Sequence, residues 1–286
     1  MEIGFRLVDV FARRPLEGNQ LCVVPEPLEL DEAAMQALAK EIGFSETTFV
    51  TSAGGDRYAM RIFTPGNELP FAGHPTLGTA FVLVSEGRVT SPATQVVRAG
   101  EIPVDVDVGA SEAWMTQLPP TFGDPFEDRE LAARAIGLTV DELEPGVPVR
   151  TASTGLPFTI VPVRSLEALR RARRDEELVM ETMQASGSDG LYLFAVTDEG
   201  VTARMFDAGS GIGEDPATGS AAGALGAYLS EHGLAGMPGS VTIGQGDQVG
   251  RPSELRVEVG AQDGPWRIRV GGGVFVIGEG TFRLRS

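Results

Sequence analysis

Arg61-Ile-Phe-Thr-Pro-Gly-Asn-Glu-Leu-Pro-Phe-Ala-Gly73-His74 and Arg204-Met-Phe-Asp-Ala-Gly-Ser-Gly-Ile-Gly-Glu-Asp215-Pro-Ala-Thr-Gly219-Ser220 are two versions of one unit. Arg61 and Phe63 fall opposite Arg204 and Phe206 at an offset of 143 residues, and Gly73 and Gly87 fall opposite Gly219 and Gly233 at 146. Three extra residues in the second loop account for the difference. Each version runs from a strand through a long loop into a helix, entered through Gly-His or Gly-Ser. Self-similarity on this scale predicts two similar domains.

The two helices, near 75–86 and 220–231, are apolar or small on nearly every face. A helix that is hydrophobic all round is buried all round. Gly87 and Gly233 supply left-handed caps at their ends. Around them the pattern turns to period two: Ile102, Val104 and Val106 alternate with polar residues, as do Leu255, Val257 and Val259. A hairpin turn is expected at Asp263-Gly264-Pro265, with separate strands following at Val274–Val276 and Thr281–Leu284. Amphipathic helices are expected at 31–42 (Asp31 as N-cap, Gly43 as C-cap), 127–136 and 175–186. Leu118–Pro125, with three prolines and a glycine, reads as a linker. The fold class is therefore α+β, with two domains that each wrap a curved sheet around one central helix.

Composition sets the remaining limits. The 286 residues carry 40 acidic against 23 basic side chains, a net charge of -17 without any basic block, which argues against nucleic-acid and anionic-membrane partners. Lys40 is the only lysine, so lysine chemistry has a single candidate. One cysteine, Cys22, excludes an internal disulfide or a two-thiol site. No signal peptide or membrane span is legible, and a cytoplasmic protein is expected. Two histidines and one cysteine supply no zinc-type ligand set. Gly209-Ser-Gly-Ile-Gly213 lacks the dinucleotide spacing, and no nucleophile elbow occurs. No metal and no cofactor is expected, leaving carboxylate, histidine and backbone dipoles.

A helix start leaves backbone N–H groups without intrahelical partners, and the dipole adds partial positive charge. Gly73 and Gly219 leave that backbone uncovered, which suits a carboxylate or enolate-like oxygen; tight turning alone also explains a single glycine. His74 stands at one start with a pKa that is ordinarily near neutrality, though a lone histidine is more often structural. Asp215 and Ser220 precede and open the second helix, where simple capping is the plain alternative. Glu46 lies at the head of a β-branched strand. It is either a solvated strand end or a general acid–base.

Taken together, Val8-Asp-Val-Phe11, Gly18-Asn19, Phe44-Ser-Glu-Thr-Thr-Phe49, Asn67-Glu-Leu-Pro-Phe-Ala-Gly-His-Pro75, Glu214-Asp-Pro-Ala-Thr-Gly-Ser-Ala-Ala-Gly223, Gln245-Gly246 and Gly250-Arg-Pro-Ser253 resemble the PhzF-like phenazine-biosynthesis family, which has the diaminopimelate epimerase-like fold. The resemblance runs almost end to end. It implies domains at 1–118, completed by a C-terminal strand near 275–286, and at 119–274, with an active site in the cleft between them. It implies a cofactor-independent isomerase in which Glu46 moves a proton between carbons of a dihydro-hydroxyanthranilate-like carboxylate. Gly73, His74, Asp215, Gly219 and Ser220 would bind substrate, with Ser45 as a neighbour, and a homodimer is expected. Where the fold's epimerases carry two cysteines, Ala72 and Thr218 stand, so a two-thiol racemase is excluded. An isomerase for a different small acid, and a silent binding or scaffold protein, remain the alternative readings.

Overall fold

The computed structural model describes residues 1–27, 29–97, 100–198, 200–209, 211–260 and 266–284. It divides into two units: Met1–Thr116 with Gly271–Ser286, and Gln117–Val270. No helix among the described residues is long and apolar enough to cross a membrane.

The first unit contains β1 (Glu2–Val10), β2 (Asn19–Val24), α1 (Glu32–Ile42), β3 (Glu46–Gly54), β4 (Arg57–Phe63), β5 (Glu68–Leu69), α2 (Gly73–Ser85), β6 (Ala93–Val97), β7 (Gly100–Asp107) and β8 (Glu112–Thr116). Pairing runs β1–β2–β3–β4–β6–β7–β8, and the last strand of the chain joins β8 back to β1, closing a barrel of eight strands. The β2–β3 pair is parallel, because the chain crosses between those strands through α1. That helix starts where the Asp31 side chain accepts the Ala34 N–H at 2.8 Å, and ends at left-handed Gly43 (φ 69°), as the sequence predicts.

Helix α2 packs against β1, β2, β3, β6, β7 and β8, and its residues from Gly73 to Leu83 are all buried. An apolar helix ringed by sheet needs close approach at some point. Gly78 provides it: a Cβ there would lie 2.6 Å from Leu21 Cδ2 and 2.9 Å from Val10 Cγ2. Two polar contacts fix the helix within the wall, Tyr58 O–H donating to Thr76 O at 3.0 Å and Thr48 Oγ1 sharing a proton with Thr79 Oγ1 at 2.9 Å.

The second unit repeats the plan with β9 (Thr121–Pro125), α3 (Arg129–Ala135), β10 (Arg150–Ser153), β11 (Pro157–Pro162), α4 (Leu166–Arg171), α5 (Glu176–Ser186), β12 (Leu191–Thr197), β13 (Gly200–Phe206), β14 (Glu214–Asp215), α6 (Gly219–Glu231), β15 (Gly239–Gln245) and β16 (Ser253–Val259). Its sheet runs β9–β10–β11–β12–β13–β15–β16, with β11–β12 and β13–β15 parallel and each of these crossings carried by helix, as β2–β3 and β4–β6 are in the first unit. Buried α6 packs on β10, β11 and β16, and Gly226 plays the part of Gly78, its missing Cβ lying 2.5 Å from Val257 Cγ1.

Three expectations change. Residues 121–125 form a strand paired with β10 rather than a linker. The C-terminal strands are one, β17 (Ile268–Arg283), because Gly271 and Gly273 are strand glycines lying under the Trp114 ring and the Ala12 carbonyl, not a break. A six-residue helix, α4, appears where the sequence shows no periodicity; Ser165 caps it by accepting the Ala168 N–H. The hairpin turn expected at 263–265 lies outside the described residues.

Candidate active site

Side chains along a strand alternate between faces, so Glu46, Thr48 and Val50 of β3 share one. Thr48 reaches helix α2 through Thr79, hence Glu46, at the head of the same strand, points toward the start of that helix. It meets His74 there: His74 Nε2 and Glu46 Oε2 lie 3.2 Å apart, with 3% and 8% of the two residues exposed. Glu46 is therefore not a solvated strand end. Asn19 comes from β2, on the face it shares with Leu21, and its Nδ2 lies 3.2 Å from His74 Nδ1. The Glu46 contact is one of proximity: His74 Nε2 and Glu46 Oε2 stand within ion-pair distance but are not aligned as a hydrogen bond.

The near-neutral pKa expected for His74 is not retained. Burial pushes it down to about 3, against a smaller upward pull from the Gln20 backbone. The ring is thus neutral at physiological pH and acts as a hydrogen-bonding group, not a cation. Ser45, half-buried, directly precedes Glu46.

Helix α2 begins with Gly73 as its first residue and Ala72 as N-cap, without a side-chain cap. The first ladder bond at this end is Thr76 N–H to Ala72 O, and Pro75 has no N–H. Gly73 and His74 therefore present their N–H groups outside the ladder, beside the Glu46–His74 pair, where they suit an anionic oxygen.

The second unit carries a matching helix start without a pair matching Glu46 and His74. Thr218 is the N-cap of α6, followed by Gly219 and Ser220, both buried, and again no side chain caps the helix. Neither Asp215 nor Ser220 is the cap. Instead, Asp215 in β14 is 8% exposed and its Oδ2 accepts the Thr218 hydroxyl at 2.6 Å. Gln117 Nε2 donates to the Gly219 carbonyl at 2.9 Å while its Oε1 accepts from Thr154 at 2.6 Å, tethering the helix start. Pairing places Leu191 opposite Phe206 and Thr47 opposite Phe63, so the repeat equivalent of Glu46 is Gly190. The Glu46–His74 pair therefore has no repeat counterpart in the second unit, where Gly190 and Ser220 stand at the matching positions.

Of the sequence candidates, Glu46, His74 and Gly73 come together in the first unit, and Asp215, Gly219 and Ser220 in the second. Asn19, Gln117, Thr154, Thr218, Tyr192 and Gln245 were not singled out as site residues. All but Thr218, which bonds Asp215 three residues away, act through contacts spanning many residues of sequence, and the local signal for Asn19, Thr218 and Gln245 is their place in the quoted motifs.

A family model described as "Phenazine biosynthesis-like protein" matches residues 8–280. The trans-2,3-dihydro-3-hydroxyanthranilate isomerase of Pseudomonas chlororaphis is 35% identical over 289 residues, covering 97% of this chain and 98% of that protein. Among solved structures, a "Predicted Epimerase" from Pseudomonas aeruginosa matches with TM-score 0.89 and 37% identity, covering 99% of this chain and 100% of the other. A probable proline racemase from Agrobacterium radiobacter, at TM-score 0.68 and 13% identity over 99% of this chain and 93% of its own, shares the fold alone.

Proposed function

The chain belongs to the phenazine biosynthesis-like (PhzF) family and is an isomerase, and on that premise we propose that it shifts one proton between two carbons of a small unsaturated carboxylate, with Glu46 taking and returning it. The observation that carries this reading is the buried Glu46–His74 contact at 3.2 Å beside an uncapped helix start. Glu46 as carboxylate removes the proton from a carbon acidified by conjugation. The electron pair left behind spreads over the conjugated system onto an oxygen, which backbone N–H groups such as those of Gly73 and His74 stabilise. The protonated Glu46 then delivers the same proton to a different carbon, restoring the carboxylate and moving the double bond. Both steps are proton transfers, so the glutamate performs them without a metal or organic cofactor.

The buried His74 ring, 3.2 Å from the Glu46 carboxylate, confines it during both transfers. Asp215, Gly219, Ser220 and Ser45 bind the polar groups of the substrate. General acid–base catalysis contributes roughly 10²–10⁴-fold, and each oxyanion donor about 10²–10³-fold. Similarity to the dihydro-hydroxyanthranilate isomerase supports a substrate of that kind. A different small acid handled by the same shuttle is the second reading, supported by comparable identity to a protein described only as an epimerase. Family resemblance also supports a cytoplasmic homodimer, which light scattering after size exclusion tests for assembly. The functional test is turnover of trans-2,3-dihydro-3-hydroxyanthranilate by the native protein and by Glu46→Gln.

A further inference from the structure

The Asp215 loop is held by a residue that lies outside the proposed catalytic set. Gln245 closes strand β15 on the buried face it shares with Val241 and Ile243. Its side-chain amide makes four hydrogen bonds. Oε1 accepts from the Tyr192 hydroxyl at 2.8 Å and from Thr218 N–H at 3.3 Å, and Nε2 donates to Asp215 O at 2.8 Å and to Thr218 Oγ1 at 3.1 Å. One end of the amide faces a backbone N–H and the other a backbone carbonyl. Only one orientation satisfies both. Gly246, next in the chain, turns at φ +87°, where a Cβ would lie 2.6 Å from Pro216 O, so the end of the strand packs directly on the same loop.

The direction of one proton follows from this. Thr218 Oγ1 owns a single hydrogen. Because Gln245 Nε2 donates to that oxygen, the hydroxyl proton is left for Asp215 Oδ2, 2.6 Å away. Tyr192 O–H, fully buried, holds Oε1 from behind. We propose that Gln245 is the positioning residue of the second unit's site: it sets the direction of the Thr218 hydroxyl and thereby presents Asp215 as a fixed hydrogen-bond acceptor.

The role rests on the reading of Asp215 as a substrate-binding residue, so two independent readouts are needed. Gln245→Glu is nearly isosteric but places an acceptor against both Asp215 O and Thr218 Oγ1, drawing the hydroxyl proton away from Asp215. Thr218→Val removes that proton altogether. Misplacement of a binding group by about 1 Å costs roughly 10²-fold, so each variant is expected to lower kcat/KM for trans-2,3-dihydro-3-hydroxyanthranilate by about that factor. The double variant falls no further than either single one, because both act through the same bond. Tyr192→Phe leaves three of the four amide bonds and costs less than about tenfold.

Without substrate, carboxyl ¹³C NMR of the folded proteins reads the Asp215 titration directly. The titratable groups to account for are Tyr192, whose buried phenol stays neutral and feels the Asp215 charge, and Glu214, engaged by Arg204 at 2.7 Å. Losing the hydroxyl donor moves the Asp215 midpoint upward in Thr218→Val, which adds no charge, and by more in Gln245→Glu, where the added carboxylate contributes as well; Tyr192→Phe leaves it in place. An unchanged midpoint in folded Gln245→Glu and Thr218→Val overturns the inference, as do kinetic losses that multiply in the double variant. If the native protein fails to turn the substrate over, the functional reading falls, while the carboxyl titration still decides the role of Gln245.

Discussion

Gly223→Ala sets two effects of opposite sign against each other. In an ordinary helix interior the change is favourable by about 0.8–1.0 kcal/mol, since alanine restricts the unfolded chain. Here Gly223 lies on buried α6, and a Cβ would sit 1.7 Å from Gln117 Oε1 and 2.6 Å from its Cδ. No rotation of the methyl relieves that overlap, so the Gln117 amide must leave. Its departure breaks the bonds to Gly219 O and Thr154 Oγ1, leaving the Thr154 hydroxyl only its 3.3 Å bond to Ser220 O, and displaces a buried amide. Each of the two lost bonds costs about 0.5–1.5 kcal/mol, and the displaced amide about 1–3 kcal/mol more. Subtracting the helix gain leaves the variant less stable by roughly 1–5 kcal/mol, with a central value of about 3.

The assay is urea denaturation of Gly223→Ala beside the native protein. Gly4→Ala serves as the control, since a Cβ there meets nothing within 4 Å. For a unit of this size, about 3 kcal/mol lowers the melting temperature by roughly 6–12 °C. The double variant Gly223→Ala/Gln117→Ala should recover part of the loss, because the clash disappears with the glutamine. A Gly223→Ala protein as stable as native, or more so, would refute the claim that Gln117 anchors the start of α6.

Two further predictions concern titration and reactivity. His74 has a folded pKa near 3 against an ordinary value of 6.5, so the unfolded chain binds a proton there that the folded one does not. Its contribution to stability is complete above pH 6.5 and is lost as pH falls toward 3; between pH 7 and 5 that amounts to about 2 kcal/mol. Ring ¹⁵N NMR, with only His232 as the second histidine, should show His74 uncharged down to pH 5, and a midpoint near 6.5 would contradict this. Cys22 is fully buried, with its thiol pushed up to about 12, so a thiol reagent at pH 8 should label it only as fast as the protein unfolds. Rapid labelling of the native protein would contradict that burial.

What could be read in the sequence was whatever is encoded locally or by repetition. The Gly73 and Gly219 helix starts were legible because two copies of the pattern carry them. Asp31 with Gly43 announced α1, and Asp175 with Gly187 frame α5 in the same way. Glu46 could be placed at the head of β3, yet its burial against His74 depends on a strand and a helix that are distant in sequence. The lowered pKa of His74 is likewise a product of burial, which a lone histidine in a sequence does not reveal. Gln245 and Asn19 are polar residues inside strands, marked locally only by the motifs they belong to, which do not reveal what they touch. Their partners stand 27–55 residues away, joined only by the sheet. Pro/Gly-rich stretches misled for a physical reason: Pro119 and Pro120 precede β9 and Pro125 ends it, and Gly271, Gly273 and Gly280 of β17 are close-packing sites.

The central claim is that one carboxylate, Glu46, takes a proton from carbon and returns it. It is tested most directly by proton NMR of the native protein and Glu46→Gln with trans-2,3-dihydro-3-hydroxyanthranilate in D₂O. The account predicts isomerisation by the native protein, loss of turnover in a folded Glu46→Gln that still binds substrate, and a deuterium content in the product that reports how far the shuttled proton exchanges with solvent. Near-normal turnover by Glu46→Gln would contradict it.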